Sequence, residues 1–316
     1  MPVRAYAPAS IGNFAAGFDL MGAALAPLDG SLWGDVVSAE PAAATSLAVS
    51  GPFARYLPAD PWQNLVLRTF ALYREAVGRK GVDCPDMAFH LEKNLPRASG
   101  LGSSASSVAA TLLACQAVLG EPLAPPEVYE VAGRGEALVS GSVHLDNVVP
   151  SLAGGLRIVM PGPDGGPEAR PLPWPEDLVL VVVSPELELS THKSREALPR
   201  CFSLADTLAF AQNLAGFILA LESGDRGLLR RCLRDVLAEP YRAPLVPGFR
   251  AAQAAAREAG SLGGGLSGAG PALFAVAETP EHGREVAGAL QRALREAGAE
   301  SQARLCRLDL QGARLL

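Results

Sequence analysis

The sequence predicts an α+β chain of about two domains, on three observations. At 316 residues the chain is roughly twice the usual domain length of about 150. It is 49% hydrophobic and only 19% charged, which supplies material for real cores and too little charge for a disordered chain. Apolar residues recur with the periods of strands and of helices in both halves, but without strict alternation. That argues for α+β over a doubly wound parallel sheet.

Val3–Ala7 alternates apolar and polar residues, and Asp35–Ala39 and Ser46–Ser50 follow as further short strands. Asn64 can cap a helix in which Val66, Phe70, Tyr73 and Val77 share one face, with Gly78 as its stop. Met87–Leu91 reads as a strand. Val108, Leu112, Cys115 and Leu119 repeat the helical spacing up to Gly120, and Pro125-Pro126 starts a helix over Glu127–Leu138. Pro161–Pro175 holds six prolines and three glycines, which predicts an irregular linker and a boundary between domains at 1–165 and 166–316. A long hairpin loop inside one domain is the alternative. Beyond it, Leu178–Val183 is a buried strand, Leu204–Glu222, Asp225–Leu237 and Phe249–Ala259 are helical, Leu273–Val276 is a strand and Pro280–Ala297 a helix.

Thirty-three acidic against 27 basic residues give a formal charge of −6, and only Lys80, Lys93 and Lys193 are lysines. Without a basic run there is no electrostatic footprint for nucleic acid, so the expected partners are small molecules. The uncharged window Ala259–Ala277 is broken by six glycines and Pro271, and no membrane span or secretion signal is expected. The five cysteines and four histidines are scattered, which suits neither a disulfide framework nor a zinc knuckle and fits a reducing cytoplasm.

The chemistry concentrates in Pro96-Arg-Ala-Ser-Gly-Leu-Gly-Ser-Ser-Ala-Ser-Ser107, which opens a helix whose first amides are unpaired and carry the positive end of the dipole. Gly100 and Gly102 allow close backbone approach, serine hydroxyls add donors, and phosphate is the natural guest. No lysine or arginine lies between Ala98 and Glu121, so oriented amides and a divalent cation would have to carry the charge. A plain loop with a serine cap is the alternative. The Walker pattern fails because the chain has no Gly-Lys pair. Gly100–Ala105 satisfies G-x-G-x-x-A, but no strand runs straight into its first glycine. Ser267 is not a nucleophile elbow, since Ala269 stands where glycine is required.

Three segments, APASIGNFAAGFDLMG (Ala7–Gly22), PRASGLGSSASS (Pro96–Ser107) and GGLSGAGPALFAV (Gly264–Val276), resemble in order and spacing the signature motifs of the GHMP small-molecule kinases. The resemblance spans nearly the whole chain. Gly135–Leu156, Leu189–Pro199 and Ala238–Pro247, with the GFD of the first motif, further resemble the homoserine kinase branch. The resemblance implies a two-domain fold, with an N-terminal domain like ribosomal protein S5 domain 2 and a ferredoxin-like C-terminal domain. It also implies ATP with Mg²⁺, phosphorylation of the L-homoserine hydroxyl in threonine biosynthesis, and admits a homodimer.

Carried over by motif, Arg195 and Arg242 would grip the acceptor's carboxylate, and Asp19 with Asn13 would receive its ammonium. His144, Asn147, Thr191 and Gly268 would complete that pocket. Pro96, Ser99, Gly100, Leu101, Gly102, Ser103, Ser104, Ala105 and Ser106 would hold the nucleotide, and Glu136 with Ser104 the metal. Asn147, Asp146 and Arg195 are the catalytic candidates. Asn147 is favoured to orient the hydroxyl, and Asp146 stays open as a base, because a loose phosphoryl-transfer transition state needs little nucleophilic help. Competing expectations are another small-alcohol kinase of the family, a silent ligand sensor on the same fold, and a nicotinamide oxidoreductase.

Overall fold

The computed structural model of the protein describes residues 2–316. Strands β1 (Val3–Pro8), β2 (Ser10–Gly12), β3 (Met21–Pro27), β4 (Gly34–Pro41) and β5 (Ser46–Ser50) come first, then α1 (Leu65–Arg79) and β6 (Met87–Glu92). Helices α2 (Ser103–Leu119), α3 (Pro125–Ser140) and α4 (Val148–Ala153) precede a hairpin of β7 (Leu156–Pro161) and β8 (Pro167–Leu172), then β9 (Val179–Pro185). The rest runs α5 (Thr191–Glu196), α6 (Leu204–Ser223), α7 (Arg226–Cys232), α8 (Glu239–Arg242), α9 (Phe249–Glu258), β10 (Gly264–Leu266), β11 (Leu273–Ala277), α10 (Pro280–Glu296), β12 (Ser301–Leu308) and β13 (Arg314–Leu315). The mixture of strands and helices is the expected α+β class.

One sheet has the order β13-β1-β4-β6-β5. Met87, Phe89 and Leu91 alternate with half-buried Ala88, His90 and Glu92, so one face of β6 carries the core and α1 and α2 close it. Val66, Phe70, Tyr73 and Val77 form the buried face of α1, and the Asn64 side chain caps it by accepting from the Val66 amide at 3.0 Å. The second sheet runs β10-β11-β9-β12-β3-β7-β8, with β2 beside β3. Its strand β9 is apolar from Val179 to Val183 because both faces are covered there. Leu180 and Val182 join Phe217 and Leu229 of α6 and α7, while Val181 and Val183 join Phe249, Val286 and Leu290 of α9 and α10.

Three expectations need correction. The proline-rich segment is not an irregular linker: β7 and β8 pair in register from Leu156↔Leu172 to Pro161↔Pro167, straight across residue 165. Prolines are tolerated there because β8 is an edge strand, where a missing N–H breaks no ladder. Both sheets also mix the two halves, since β13 joins β1 and β3 joins β12. The helix expected over Asp225–Leu237 ends at Cys232, where Leu233 leaves helical geometry (ψ 70°) and its carbonyl accepts from the Gly264 amide. Finally, although no membrane span is expected, α6 is by length and composition alone long and apolar enough to cross a membrane, with Asp206 and Glu222 near its ends. It packs Phe217, Ala220 and Leu221 inward and leaves Leu204, Leu208 and Leu219 exposed.

Candidate active site

Most of the expected site residues converge on one cleft between the start of α2 and the loops around β2, α5, α8 and β10. At the start of α2, Gly100, Gly102 and Ala98 all have positive φ, which bends the chain into the first turn of the helix. The bend cannot take a side chain at Gly102, where a Cβ would lie 2.0 Å from Ser10 Oγ. Loops from the second half close over it: Ser267 Oγ donates to the Gly100 carbonyl (2.5 Å), and the Ala272 and Leu189 amides donate to the Ser99 and Ala98 carbonyls.

Beneath the turn lies a buried ion pair that sequence reasoning missed. Lys93 Nζ donates to Asp35 Oδ2, to the Ser103 carbonyl (2.8 Å) and to Ser107 Oγ (2.9 Å), while Asp35 Oδ1 accepts from the Asn94 and Leu95 amides. All three ammonium protons are engaged, so Lys93 braces the turn and has no donor left for a phosphate. Removing one member of such a pair costs about 3–5 kcal/mol, because a buried charge is stranded. The sequence did carry a clue, since Lys93 is one of three lysines and immediately precedes the turn.

Ser99, Gly100, Gly102, Ser103 and Ser104 line the cleft as expected. Pro96, Leu101, Ala105 and Ser106 do not. Helical periodicity turns Ala105 and Ser106 toward the first sheet, where Ser106 Oγ donates to the Ala7 carbonyl and accepts from the Asp35 amide, and Leu101 is buried. Cations absent from the sequence reading are present too, because Arg68 and Arg97 line the same cleft. Glu136 reaches the turn from α3, accepting from Ser104 Oγ at 3.0 Å. Burial, opposed by Ser104 and reinforced by Asp146, pushes its carboxyl up to about 7.

The rest of the cleft is lined by side chains from distant segments. Asn13, Phe14, Ala15 and Asp19 all have positive φ, a cluster of unfavourable conformations in non-glycine residues between β2 and β3. The turn is held by its own groups: the Asp19 amide donates to Asn13 Oδ1 (2.9 Å), and the Asn13 amide to Asp146 Oδ2 (3.0 Å). Arg195 Nη2 donates to both Asp19 oxygens at 2.9 Å and to His144 Nδ1 at 2.9 Å. Nδ1 is therefore the unprotonated nitrogen, leaving Nε2–H to donate to Ser142 Oγ at 2.7 Å. Burial, partly offset by Asp19, lowers the His144 pKa and favours the neutral ring.

Arg242 is 3% exposed and donates to the carbonyls of Gly268 (3.1 Å) and Ser194 (3.3 Å). The Phe18 ring lies under both guanidiniums, 5.1 Å from Arg242 and 5.8 Å from Arg195. Gly268 accepts a second bond from Asn13 Nδ2 (2.9 Å), and Thr191 stands at the cleft wall where α5 begins. The two sides meet at Asn147, whose Oδ1 accepts from Ser10 Oγ (3.0 Å) and whose Nδ2 donates to Asp146 Oδ2 (3.3 Å). Burial and the Asp19 charge raise Asp146 to about 7. Gly12 was also missed. A Cβ there would fall 2.2 Å from Asn147 Nδ2, so only glycine lets the amide sit at the junction.

Comparison with known proteins agrees with this architecture. Residues 64–155 match the GHMP kinases N terminal domain and residues 217–296 the GHMP kinases C terminal domain. The chain belongs to the GHMP kinase family. Its fold is the two-domain fold of these kinases, which use ATP as co-substrate. A homoserine kinase from Cytophaga hutchinsonii is 30% identical with a TM-score of 0.88, covering 100% of this chain and 97% of its own. A candidate homoserine kinase from Listeria monocytogenes (22%, TM-score 0.71, 99% of both chains) and L. major mevalonate kinase in complex with R-mevalonate (17%, TM-score 0.65, 96% and 95%) share the fold.

Proposed function

We propose that this GHMP kinase transfers the γ-phosphoryl group of ATP to the side-chain hydroxyl of L-homoserine, the reaction that feeds threonine biosynthesis. The observation that carries the reading is the charge pattern of the acceptor pocket. Two guanidiniums and one carboxylate stand over Phe18 with neutral amide groups beside them, a complement to an amino-acid zwitterion bearing a distal alcohol. The 30% identity to a homoserine kinase over the full chain supports it.

The triphosphate lies along the amides at Gly100–Ser104, and the apolar Leu57, Pro58 and Leu65 that also line the cleft suit the base. Arg68 and Arg97 add positive charge on that side. Arg195 releases part of its hold on Asp19 to take the carboxylate together with Arg242, and Asp19 with Asn13 takes the ammonium. Asn147, at the junction with the turn, orients the hydroxyl toward the terminal phosphorus. The O–P bond to the acceptor forms as the bond to ADP breaks, and the hydroxyl proton passes late to an oxygen of the transferred phosphoryl group or to water, so no strong base is needed. Asp146 acts by positioning, because Oδ2 is held by the Asn13 amide and the Asn147 side chain.

Glu136 and Ser104 fit Mg²⁺: the donors are oxygens only, and among the described residues no cluster of three or more His, Cys, Asp or Glu competes as a metal site. Bound there with the phosphates, the ion would offset the charge that develops in transfer. We place the reaction in the cytoplasm, with the nucleotide held mainly by residues of the first half of the chain and the acceptor by residues of both halves. A coupled ADP-release assay over L-homoserine, mevalonate and shikimate tests the assignment. Turnover with homoserine at least about 10²-fold above the others is expected; equal or greater turnover with another alcohol overturns it.

A further inference from the structure

A second cleft of about 520 Å³ lies among α7, α9, α10 and the β10–β11 pair, and it shares no lining residue with the kinase cleft. Its volume is in the range of small-molecule sites, roughly 300–1,000 Å³. The floor is carbon, including the buried rings and side chains of Phe249 and Leu290. The rim is arginine. Arg230 and Arg231 come from the last turn of α7, Arg234 from the segment after it and Arg257 from the last turn of α9, and no aspartate or glutamate lines the cleft.

Among the described residues, none of these four guanidiniums has a carboxylate oxygen within 4.0 Å. The acid that senses Arg257 is Glu239, whose two oxygens already accept from Gln253 Nε2 (2.8 Å) and the Leu266 amide (3.2 Å). Helix dipoles favour arginine in the last turns of α7 and α9, which explains each position singly. They do not explain convergence, because like charges gathered at one concave surface repel one another, and this chain has a net charge of −6 from which counterions could have been drawn. An arginine rim over an apolar floor suits a ligand with a charged end and an apolar body.

We propose that this cleft is a second ligand site, built for a small organic anion that lays an apolar body on the Phe249–Leu290 floor and turns a phosphate, sulfonate or carboxylate toward the arginines. Anilinonaphthalene sulfonate is a suitable probe, with that shape and a fluorescence rise on leaving water. The full-length protein is titrated with it at saturating ADP, so that the nucleotide turn is occupied. Saturable binding of one probe per chain is expected. The double variant Arg231→Gln/Arg257→Gln should weaken it at least about tenfold, the low end for losing charged hydrogen bonds, while Arg231→Lys/Arg257→Lys stays within about threefold because the positive charge at the rim is kept. The lysine pair also controls for folding, and the thermal midpoints of both variants are read alongside. Absence of saturable binding, or the same affinity in the folded glutamine variant, overturns the proposal. The outcome does not depend on which alcohol the kinase phosphorylates.

Discussion

The nucleotide turn and the acceptor pocket meet at Asn147 yet are made of different material. The turn is backbone: positive-φ glycines and the amides that open α2, braced from below by Lys93 and Asp35. The pocket is side chain: Arg195, Asp19, Asn13 and His144, hydrogen-bonded to one another, and Arg242, which shares the Gly268 carbonyl with Asn13, gathered from four stretches of sequence. A site made of amides is indifferent to what is attached to the phosphate. A site made of paired charges recognises a particular arrangement of charge.

Mutations should separate the two regions. The largest effect is expected on the nucleotide side, where Glu136→Ala should lower kcat/KM by about 10³-fold or more, the several kcal/mol that metal charge stabilisation is worth. A loss under tenfold, at any Mg²⁺ concentration, would remove Glu136 from the metal site. On the acceptor side Arg195→Met should cost about 1.5–3 kcal/mol, roughly 10–150-fold in kcat/KM for the amino acid. Because the turn makes no use of Arg195, affinity for ADP by calorimetry should change less than about threefold; equal losses on both substrates would erase the distinction between the regions.

Asp146→Asn tests the junction itself. An asparagine can still accept the Asn13 amide proton, so turnover should stay within about tenfold of wild type, whereas loss of a general base typically costs 10²–10⁴-fold. A fall of the latter size would make Asp146 the base. The smallest effect concerns stability. Burial lifts the Glu239 carboxyl from 4.5 to about 7, so between those values the folded protein holds a proton that the unfolded chain has released. Stability from this group is present at acid pH and lost as pH rises through that window. Glu239→Gln should therefore gain on wild type by on the order of 2 kcal/mol between about pH 5 and about pH 8, read by denaturant unfolding. Parallel pH profiles would show that Glu239 is ionised in the fold throughout.

The same division explains what could be read from the sequence. The turn was legible because its chemistry is contiguous, and Gly100, Gly102, Ser103 and Ser104 line the cleft where the motif put them. Resolution within the motif was poorer. Ser106 looks like its neighbours in a serine run, but a helix turns it 100° per residue and spends it on Ala7 and Asp35. Residues of the acceptor pocket entered only through family motifs, since nothing in the spacing of Asp19, His144, Arg195 and Arg242 announces that they meet. Arg68, Arg97 and Gly12 went unseen for that reason, each defined by a tertiary neighbour. Strands with uniform burial, such as β9, were plain, while β8 was hidden by prolines that an edge position tolerates.

The central claim is that two guanidiniums recognise the acceptor's carboxylate while the turn holds ATP. Its most direct test is the ratio of kcat/KM for L-homoserine to that for the amino alcohol left when the carboxylate is deleted. Two charged contacts predict a preference of about 10²–10⁴-fold for homoserine, reduced by about 10–150-fold in Arg195→Met, where one of the two contacts is lost. Equal efficiency with both alcohols in the wild-type enzyme would contradict the account.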